Sequence, residues 1–325
     1  MMREHGGPDA IGVPQWDFST NANACGPCPV AHEAVRRADA THYPDPHYTA
    51  LREVLATFHQ VDARRIVLGA SASELISRIT ARAFRGGARH FWQPALAYGD
   101  YALAAQAWRL QQVDSAEQAD LVWLCEPSSP LGMAELQNFQ DLGQDRTVVI
   151  DLAYEPLRLA GQSGLSKAAR DPIWQLWSPN KAMGLTGVRG AYAIAPVQAA
   201  SQALELEALG ASWPLGAHGV AMLQAWASAE AQQWLSWSRQ RLSAWKHQQV
   251  HLLEQMGWVC MPSVTNYFCA RAPAPVDGDT LRDHGVKLRD TRSLGLPGYW
   301  RLSVQNPEAQ GALRAALLRR KERVT

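Results

Sequence analysis

The stretch Ser178-Pro179-Asn180-Lys181-Ala182-Met183-Gly184-Leu185-Thr186-Gly187-Val188-Arg189-Gly190 holds the residues with the plainest chemical use. A lysine just past an apolar segment, in a loop punctuated by glycine, is placed to lose part of its hydration, which frees its amine to form a Schiff base with a carbonyl. Ser178, three residues before Lys181, and Arg189, eight after it, offer a hydroxyl and a forked cation to a phosphate. Upstream, Asp151 closes an apolar run in Asp151-Leu152-Ala153-Tyr154. A carboxylate at the C-terminal edge of an α/β sheet stands where such sheets gather ligands, although taken alone it reads more readily as a turn or helix cap. Gly69-Ala70-Ser71-Ala72-Ser73-Glu74 is built of small residues that let a phosphate approach a helix N-terminus. No metal is expected, since no set of cysteines and histidines is read here as a zinc site.

The elements that must position these residues are legible as short apolar bursts at Ile66–Leu68, His90–Trp92, Leu121–Leu124, Val148–Ile150, Ile173–Trp177 and Ala191–Ile194. Most lack polar alternation, as strands buried on both faces of a parallel sheet do. Helical periods fall between them over Glu74–Phe84, Tyr98–Ala107 and Met133–Leu142. Such alternation predicts an α/β domain over 46–215. Residues 1–45 read as an irregular N-terminal arm, with one helix near Val30–Ala38, that contributes to a smaller domain. Residues 216–325 read as a long helical stretch over 216–256 followed by a C-terminal α+β unit. Its expected strands are Trp258–Met261, Thr265–Ala270, Val286–Asp290 and Trp300–Val304, with helices at Gly278–His284 and Pro307–Lys321.

Ser178-x-x-Lys181 with Arg189 resembles the pyridoxal-phosphate lysine signature of fold-type I, class I/II aminotransferases, and the resemblance runs from His5 to about Leu318. It implies a large cofactor domain with a mostly parallel central sheet flanked by helices, and a smaller α+β domain. It implies pyridoxal 5′-phosphate as cofactor and Lys181 as the catalytic lysine. Asp151 pairs by resemblance with the pyridinium nitrogen, and Tyr154 reaches the phenolic oxygen. A ring that must accept an electron pair is a better sink while its nitrogen stays protonated, which is what a buried carboxylate secures. Ala72 and Ser73 resemble the backbone donors of the phosphate cup, alongside Ser178 and Arg189, and Tyr98 matches the aromatic that stacks on the ring. Tyr43 matches a tyrosine reaching the neighbouring subunit's cofactor phosphate, which implies a homodimer. One departure stands out: Glu126-Pro127-Ser128-Ser129-Pro130-Leu131-Gly132 replaces the usual Asn-Pro-x-Asn-Pro-Thr-Gly, so the shorter Ser129 takes the place of a cofactor-binding asparagine.

Arg301 resembles the C-terminal arginine that forks onto a substrate α-carboxylate, and Arg289 the second arginine used by phosphate-bearing substrates. Two subgroups of the family fit: histidinol-phosphate aminotransferases and the threonine-phosphate decarboxylases of cobalamin biosynthesis. His5-Gly6-Gly7 and the Asn21-x-Asn23 motif before Gly26-Pro27 look more like the decarboxylases, with His5, Gly6, Gly7 and Asn23 expected at the substrate. The expected partner is therefore a small phosphorylated amino acid or amine. A non-catalytic regulatory protein on the same fold is the alternative of another class, and the joint presence of Lys181, Asp151 and Arg189 speaks against it.

Composition bounds the rest. The 325 residues are 47% hydrophobic and 19% charged, which excludes disordered and collagen-like architectures. A net charge of +1 gives no broad field for gathering nucleic acid or a membrane surface. No apolar run is long enough for a membrane helix, and the first residues lack the hydrophobic core of a secretory signal, so a cytoplasmic protein is expected. The five cysteines include a Cys25-Gly26-Pro27-Cys28 dithiol motif whose flanks read as loop rather than as the strand-to-helix junction that activates a thiol.

Overall fold

Wholly apolar runs become the strands of a central sheet in the computed structural model, which describes residues 5–134 and 146–319. In chain order, the arm supplies strand β1 (Trp16–Asp17) and helix α1 (Pro29–Arg37), and helix α2 (Thr49–His59), an addition to the expected elements, follows it. There follow β2 (Ile66–Gly69), α3 (Ala72–Arg85), β3 (His90–Trp92), α4 (Gly99–Ala107), β4 (Gln111–Gln112), β5 (Leu121–Cys125) and β6 (Thr147–Asp151). Next come α5 (Lys167–Arg170), β7 (Trp174–Trp177), β8 (Ala191–Ile194), α6 (Ala200–Glu207), α7 (Ala217–Trp226) and α8 (Ala229–Gln255). The chain closes with β9 (Val259–Cys260), β10 (Tyr267–Arg271), α9 (Gly278–Asp283), β11 (Val286–Lys287), β12 (Arg289–Asp290), β13 (Trp300–Ser303) and α10 (Pro307–Arg319).

Seven strands form the central sheet in the order β2-β8-β7-β6-β5-β3-β4. The pairings β4-β3-β5-β6-β7 are parallel, and β8 runs antiparallel to both of its neighbours. Both faces are covered, which is why the strands read as unbroken apolar runs. In β5, Leu121 and Trp123 pack into one core layer and Val122 and Leu124 into the other. Since the parallel strands share a direction, their C-terminal ends gather on one edge: Gly69, Cys125, Asp151 and Trp177 each hand the chain to a loop there. A four-stranded antiparallel sheet, β12-β13-β10-β9, stands apart from the first in sequence.

Two expectations are revised. One strand was predicted over Val286–Asp290, but β11 pairs in parallel with β1 of the arm, while β12 pairs with β13. Leu288 and Arg289 are consecutive buried residues, which one strand cannot place on a single face, so the chain changes partner between them. The long helical stretch is two helices, because the Ser228 side chain accepts a hydrogen bond from the Ala231 amide at 3.2 Å and so caps a new helix start. The helix expected over Met133–Leu142 lies outside the described residues from 135 onward, as does the Lys321 end of the last helix. Among the described residues no helix is long and apolar enough to cross a membrane.

The arm is fastened to the loop that carries Lys181. The Asn23 amide donates to the Lys181 carbonyl at 2.9 Å and the Cys28 amide to that of Met183 at 2.8 Å. Gly184 makes this approach possible: its φ is +66°, and a Cβ there would stand 2.5 Å from the Gly26 carbonyl oxygen. Gly184→Ala is therefore expected to cost about 2 kcal/mol of stability, from a backbone clash combined with left-handed strain. Thermal unfolding checks this, and an unchanged Tm would show that the two loops do not depend on each other.

Candidate active site

The loops at the C-terminal edge of the central sheet enclose a cavity of about 650 Å³, within the range of small-molecule sites. Lys181, Asp151, Tyr154, Tyr98, Ser129, Ser178, Arg189, Ala72 and Ser73 share its wall. Arg301 from β13, and His5 and Gly6 from the arm, join them. Residues far apart in sequence are thus brought together by strand ends.

Asp151 terminates β6 and is 4% exposed. One carboxylate oxygen accepts from the Tyr101 hydroxyl at 2.7 Å and the other from the Ala153 amide at 2.9 Å. Burial pushes the Asp151 carboxyl above its ordinary range, while the Tyr101 bond, the Ala153 amide and the charge of Lys181 pull it back. Tyr101 is itself fully buried, which holds its phenol far above the usual range and keeps it a donor. Its ring lies flat against Trp123, with centroids 4.7 Å apart and planes 5° from parallel. Tyr101 was not singled out from sequence; the available signal was its place three residues after Tyr98, one turn along the start of α4.

Lys181 projects near the Tyr154 ring, with Nζ 5.3 Å from the centroid. Tyr154 packs edge-on against Tyr267 at 4.7 Å, and its hydroxyl accepts from the Asn21 side-chain amide at 3.2 Å. The Ser178 hydroxyl donates to Asn180 Oδ1 at 3.0 Å, so the residue just before Lys181 orients Ser178. Opposite, α3 begins at Ala72, with Ser71 as its cap accepting from the Glu74 amide at 3.1 Å, so the free amides of the first turn face the cavity. The Ser73 hydroxyl lies 3.1 Å from that of Tyr98. Glu126, fully buried beside this wall, pairs with the buried Arg158, which also bonds Glu155 at 2.9 Å. That pairing is the physical use of the acidic residue at the head of the Glu-Pro-Ser-Ser segment.

Four expected residues lie outside the wall. Asn23 turns its amide to the Ala182 carbonyl at 3.1 Å and the Ser238 hydroxyl at 2.8 Å, bracing the lysine loop from behind, and Asn21 takes the place at the cavity. Gly7 donates to Ser19 Oγ at 2.8 Å and accepts from Lys287 Nζ at 2.7 Å, so it anchors the arm beneath Gly6. Arg289 faces Arg301 across the β12–β13 pair and donates to Ser293 at 2.8 Å. Tyr43 is 78% exposed and stacks on Trp213 at 4.4 Å, away from its own chain's cavity. Cys25 and Cys28 are both free thiols. Burial pushes the Cys25 thiol up to about 11 and raises that of Cys28, the reverse of an activated dithiol.

Chemically, this donor set fits a molecule carrying a carbonyl, a basic ring nitrogen and a phosphate. Lys181 supplies the amine, Asp151 the buried carboxylate, and the α3 amides, Ser178 and Arg189 the anion cradle. Pyridoxal phosphate has these three groups. Arg301 adds a second anion site: its Nη2 donates to the Ser19 carbonyl at 3.3 Å, its guanidinium carbon lies 5.6 Å from the Tyr267 ring centroid, and its buried Nε has no hydrogen-bond partner.

The family model Aminotransferase class I and II matches residues 13–316. A histidinol-phosphate aminotransferase of Jannaschia sp. (strain CCS1) is 25% identical over 92% of this chain and 89% of its own length. Among solved structures, an L-threonine-O-3-phosphate decarboxylase from Porphyromonas gingivalis superposes with a TM-score of 0.79 at 20% identity, over 94% of this chain and 99% of that one. A histidinol-phosphate aminotransferase from Sinorhizobium meliloti, solved in complex with pyridoxal-5′-phosphate, gives a TM-score of 0.78 at 20% identity, over 92% and 89%.

Tyr101→Phe removes the donor that offsets the burial of Asp151. The folded carboxyl already titrates above its unfolded value, so its charge destabilises the fold at neutral pH, and that penalty is relieved as the pH falls through the folded value. Losing Tyr101 enlarges the penalty. The variant is expected to lose about 2 kcal/mol near pH 7, with the gap to wild type narrowing as Asp151 is protonated. Denaturant unfolding across pH measures it; a gap independent of pH would assign Tyr101 to packing alone.

Proposed function

This chain belongs to the class I and II aminotransferase family, and from that premise we propose that it is a pyridoxal-phosphate enzyme that decarboxylates L-threonine O-3-phosphate to aminopropanol phosphate, a step in cobalamin biosynthesis, as a cytoplasmic homodimer. The observation that carries the reading is that His5 and Gly6 of the arm share one cavity wall with Lys181 and Arg301. A substrate with an amine, a carboxylate and a phosphate meets a partner for each.

Pyridoxal phosphate, when bound, takes into its ring the electron pair of a bond broken at the substrate's Cα. The chain's residues do the remainder. The Ala72 and Ser73 amides, with Ser178 and Arg189, would hold the cofactor phosphate; Asp151 would keep the ring nitrogen protonated; Tyr98 would serve the ring, and Tyr154, with Ser129, the phenolic oxygen. Arg301 grips the substrate carboxylate through two parallel hydrogen bonds, and Gly6 and His5 receive the substrate phosphate through a backbone amide and a ring nitrogen. With both ends fixed, rotation about Cα is set, and that choice decides which bond breaks. Carbon dioxide leaves, and Lys181 returns one proton to Cα. The exposed Tyr43, stacked on Trp213, serves the neighbouring subunit's phosphate.

The aminotransferase reading is favoured by the relative from Jannaschia and makes a different demand on the site. Histidinol phosphate carries an amine and a phosphate but no carboxylate for Arg301, and transamination needs an oxo-acid acceptor. Each substrate is to be incubated with pure enzyme, with and without 2-oxoglutarate. The expected result is carbon dioxide from threonine phosphate in either case. Arg301→Lys keeps the charge but loses the two-pronged grip, and is expected to slow this reaction at least about tenfold. Glutamate formed from histidinol phosphate, with threonine phosphate inert, would replace the decarboxylase by the aminotransferase.

A further inference from the structure

We propose that Asn21 is a positioning residue for the cofactor's phenolic oxygen, acting through Tyr154, and that it brings from the N-terminal arm an amide that the segment after β5, with Ser129, does not provide. This rests on the placement of pyridoxal phosphate between Lys181, Asp151 and Tyr154 argued above.

Asn21 is 2% exposed yet contributes to the cavity wall. Its Nδ2 donates to the Tyr154 hydroxyl at 3.2 Å, and its buried Oδ1 has no hydrogen-bond partner. Burying an amide with an unmet oxygen is costly, and a side chain with a purely structural task is readily replaced by an apolar one. The backbone around it is fixed from two sides. Asn266 Nδ2 donates to the Asn21 carbonyl at 3.3 Å and to that of Ala22 at 3.1 Å, and the next residue, Asn23, is bonded to the Lys181 carbonyl. The amide is thus presented to Tyr154 by the same loop that braces the lysine.

The effect on Tyr154 follows from the direction of the bond. A phenol has one proton and two lone pairs. With an amide N–H on one lone pair, the proton is left to be donated elsewhere, and it is the more polarised for it. Edge contact with Tyr267 limits tilting of the ring, so the hydroxyl is aimed and its proton freed at once. Ser129, 4% exposed on the same cavity, carries its hydroxyl on a single carbon and cannot extend as far as an amide side chain.

The test uses holoenzyme without substrate. Pyridoxal phosphate affinity is read by titrating it into the resolved apoenzyme, and the pH midpoint of the visible absorption band is read from the loaded protein. Without the Asn21 donor the phenolic oxygen keeps more negative charge and holds the neighbouring proton more tightly, so the midpoint moves up. Asn21→Ala is expected to weaken pyridoxal phosphate binding about tenfold and raise the midpoint by about one pH unit. Ser129→Asn in the Asn21→Ala background restores most of both, because an amide then enters the cavity from the segment after β5. Asn21→Asp, which keeps the size but accepts from Tyr154, gives the same losses and serves if the alanine variant does not fold. Tyr154→Phe abolishes any further effect of Asn21→Ala. Wild-type affinity and midpoint in both Asn21 variants, with only KM for the amino substrate raised, would overturn the inference and make Asn21 a substrate contact. A wild-type protein that binds no pyridoxal phosphate at Lys181 would overturn the site assignment and this inference together.

Discussion

A carboxylate at the floor of the cavity has to carry its charge where water hardly reaches, and the architecture around it is arranged to that end. Asp151 sits at the end of a central strand with β5 and β7 on either side and is 4% exposed. Charge in such a place is disfavoured unless each oxygen finds a donor. The Ala153 amide is one donor, supplied by the turn that ends the strand; Tyr101 is the other, and it comes from a different crossover helix. Tyr101 can serve only because its ring is clamped on Trp123 of β5, which ties α4 and the strand to the position of a single carboxylate. A cationic ring nitrogen brought to Asp151 completes the same balance.

Parallel strand order supplies the other half of the site. The ends of β2, β5, β6 and β7 bring an anion cradle, a serine, a carboxylate and a lysine loop to one edge with no contact between them in sequence. What the sheet cannot supply is a lid on the far side. That comes from the arm and β13, with Ser19, Asn21 and Arg301 linked through the Arg301–Ser19 and Asn266–Asn21 bonds. The arm is paired with the C-terminal region through β1 and β11 and bonded to the lysine loop at Asn23 and Cys28. Its residues are therefore held in the cavity wall by hydrogen bonding, although they lie far from Lys181 in the chain.

Much of this was legible from sequence where a local rule carries the signal. The six apolar bursts became strands because double burial leaves no polar alternation, and Lys181, Asp151, Ser178 and Arg189 share a wall because Asp151 ends β6 and the other three lie in the loop between β7 and β8. Arg301 and His5 reached it only by way of a family resemblance. What stayed hidden depended on partners chosen in three dimensions. Nothing in Asn21-Ala22-Asn23 says which asparagine faces the cavity; the Ser238 hydroxyl and the Ala182 carbonyl decide it by capturing Asn23. Tyr101 carries no signal of its own in the sequence, since only the stack on Trp123 aims its hydroxyl. The division of Val286–Asp290 between two sheets followed from competition between β1 and β13 for one short segment, which no local pattern records.

The account stands on Lys181 being the residue that binds pyridoxal phosphate covalently. The direct measurement is borohydride reduction of the protein loaded with pyridoxal phosphate, followed by peptide mapping. The account predicts a yellow protein that loses its visible band on reduction, with the modification on the peptide containing Lys181, and a colourless Lys181→Ala variant. Modification at another lysine, or a Lys181→Ala variant that keeps the colour, would contradict it.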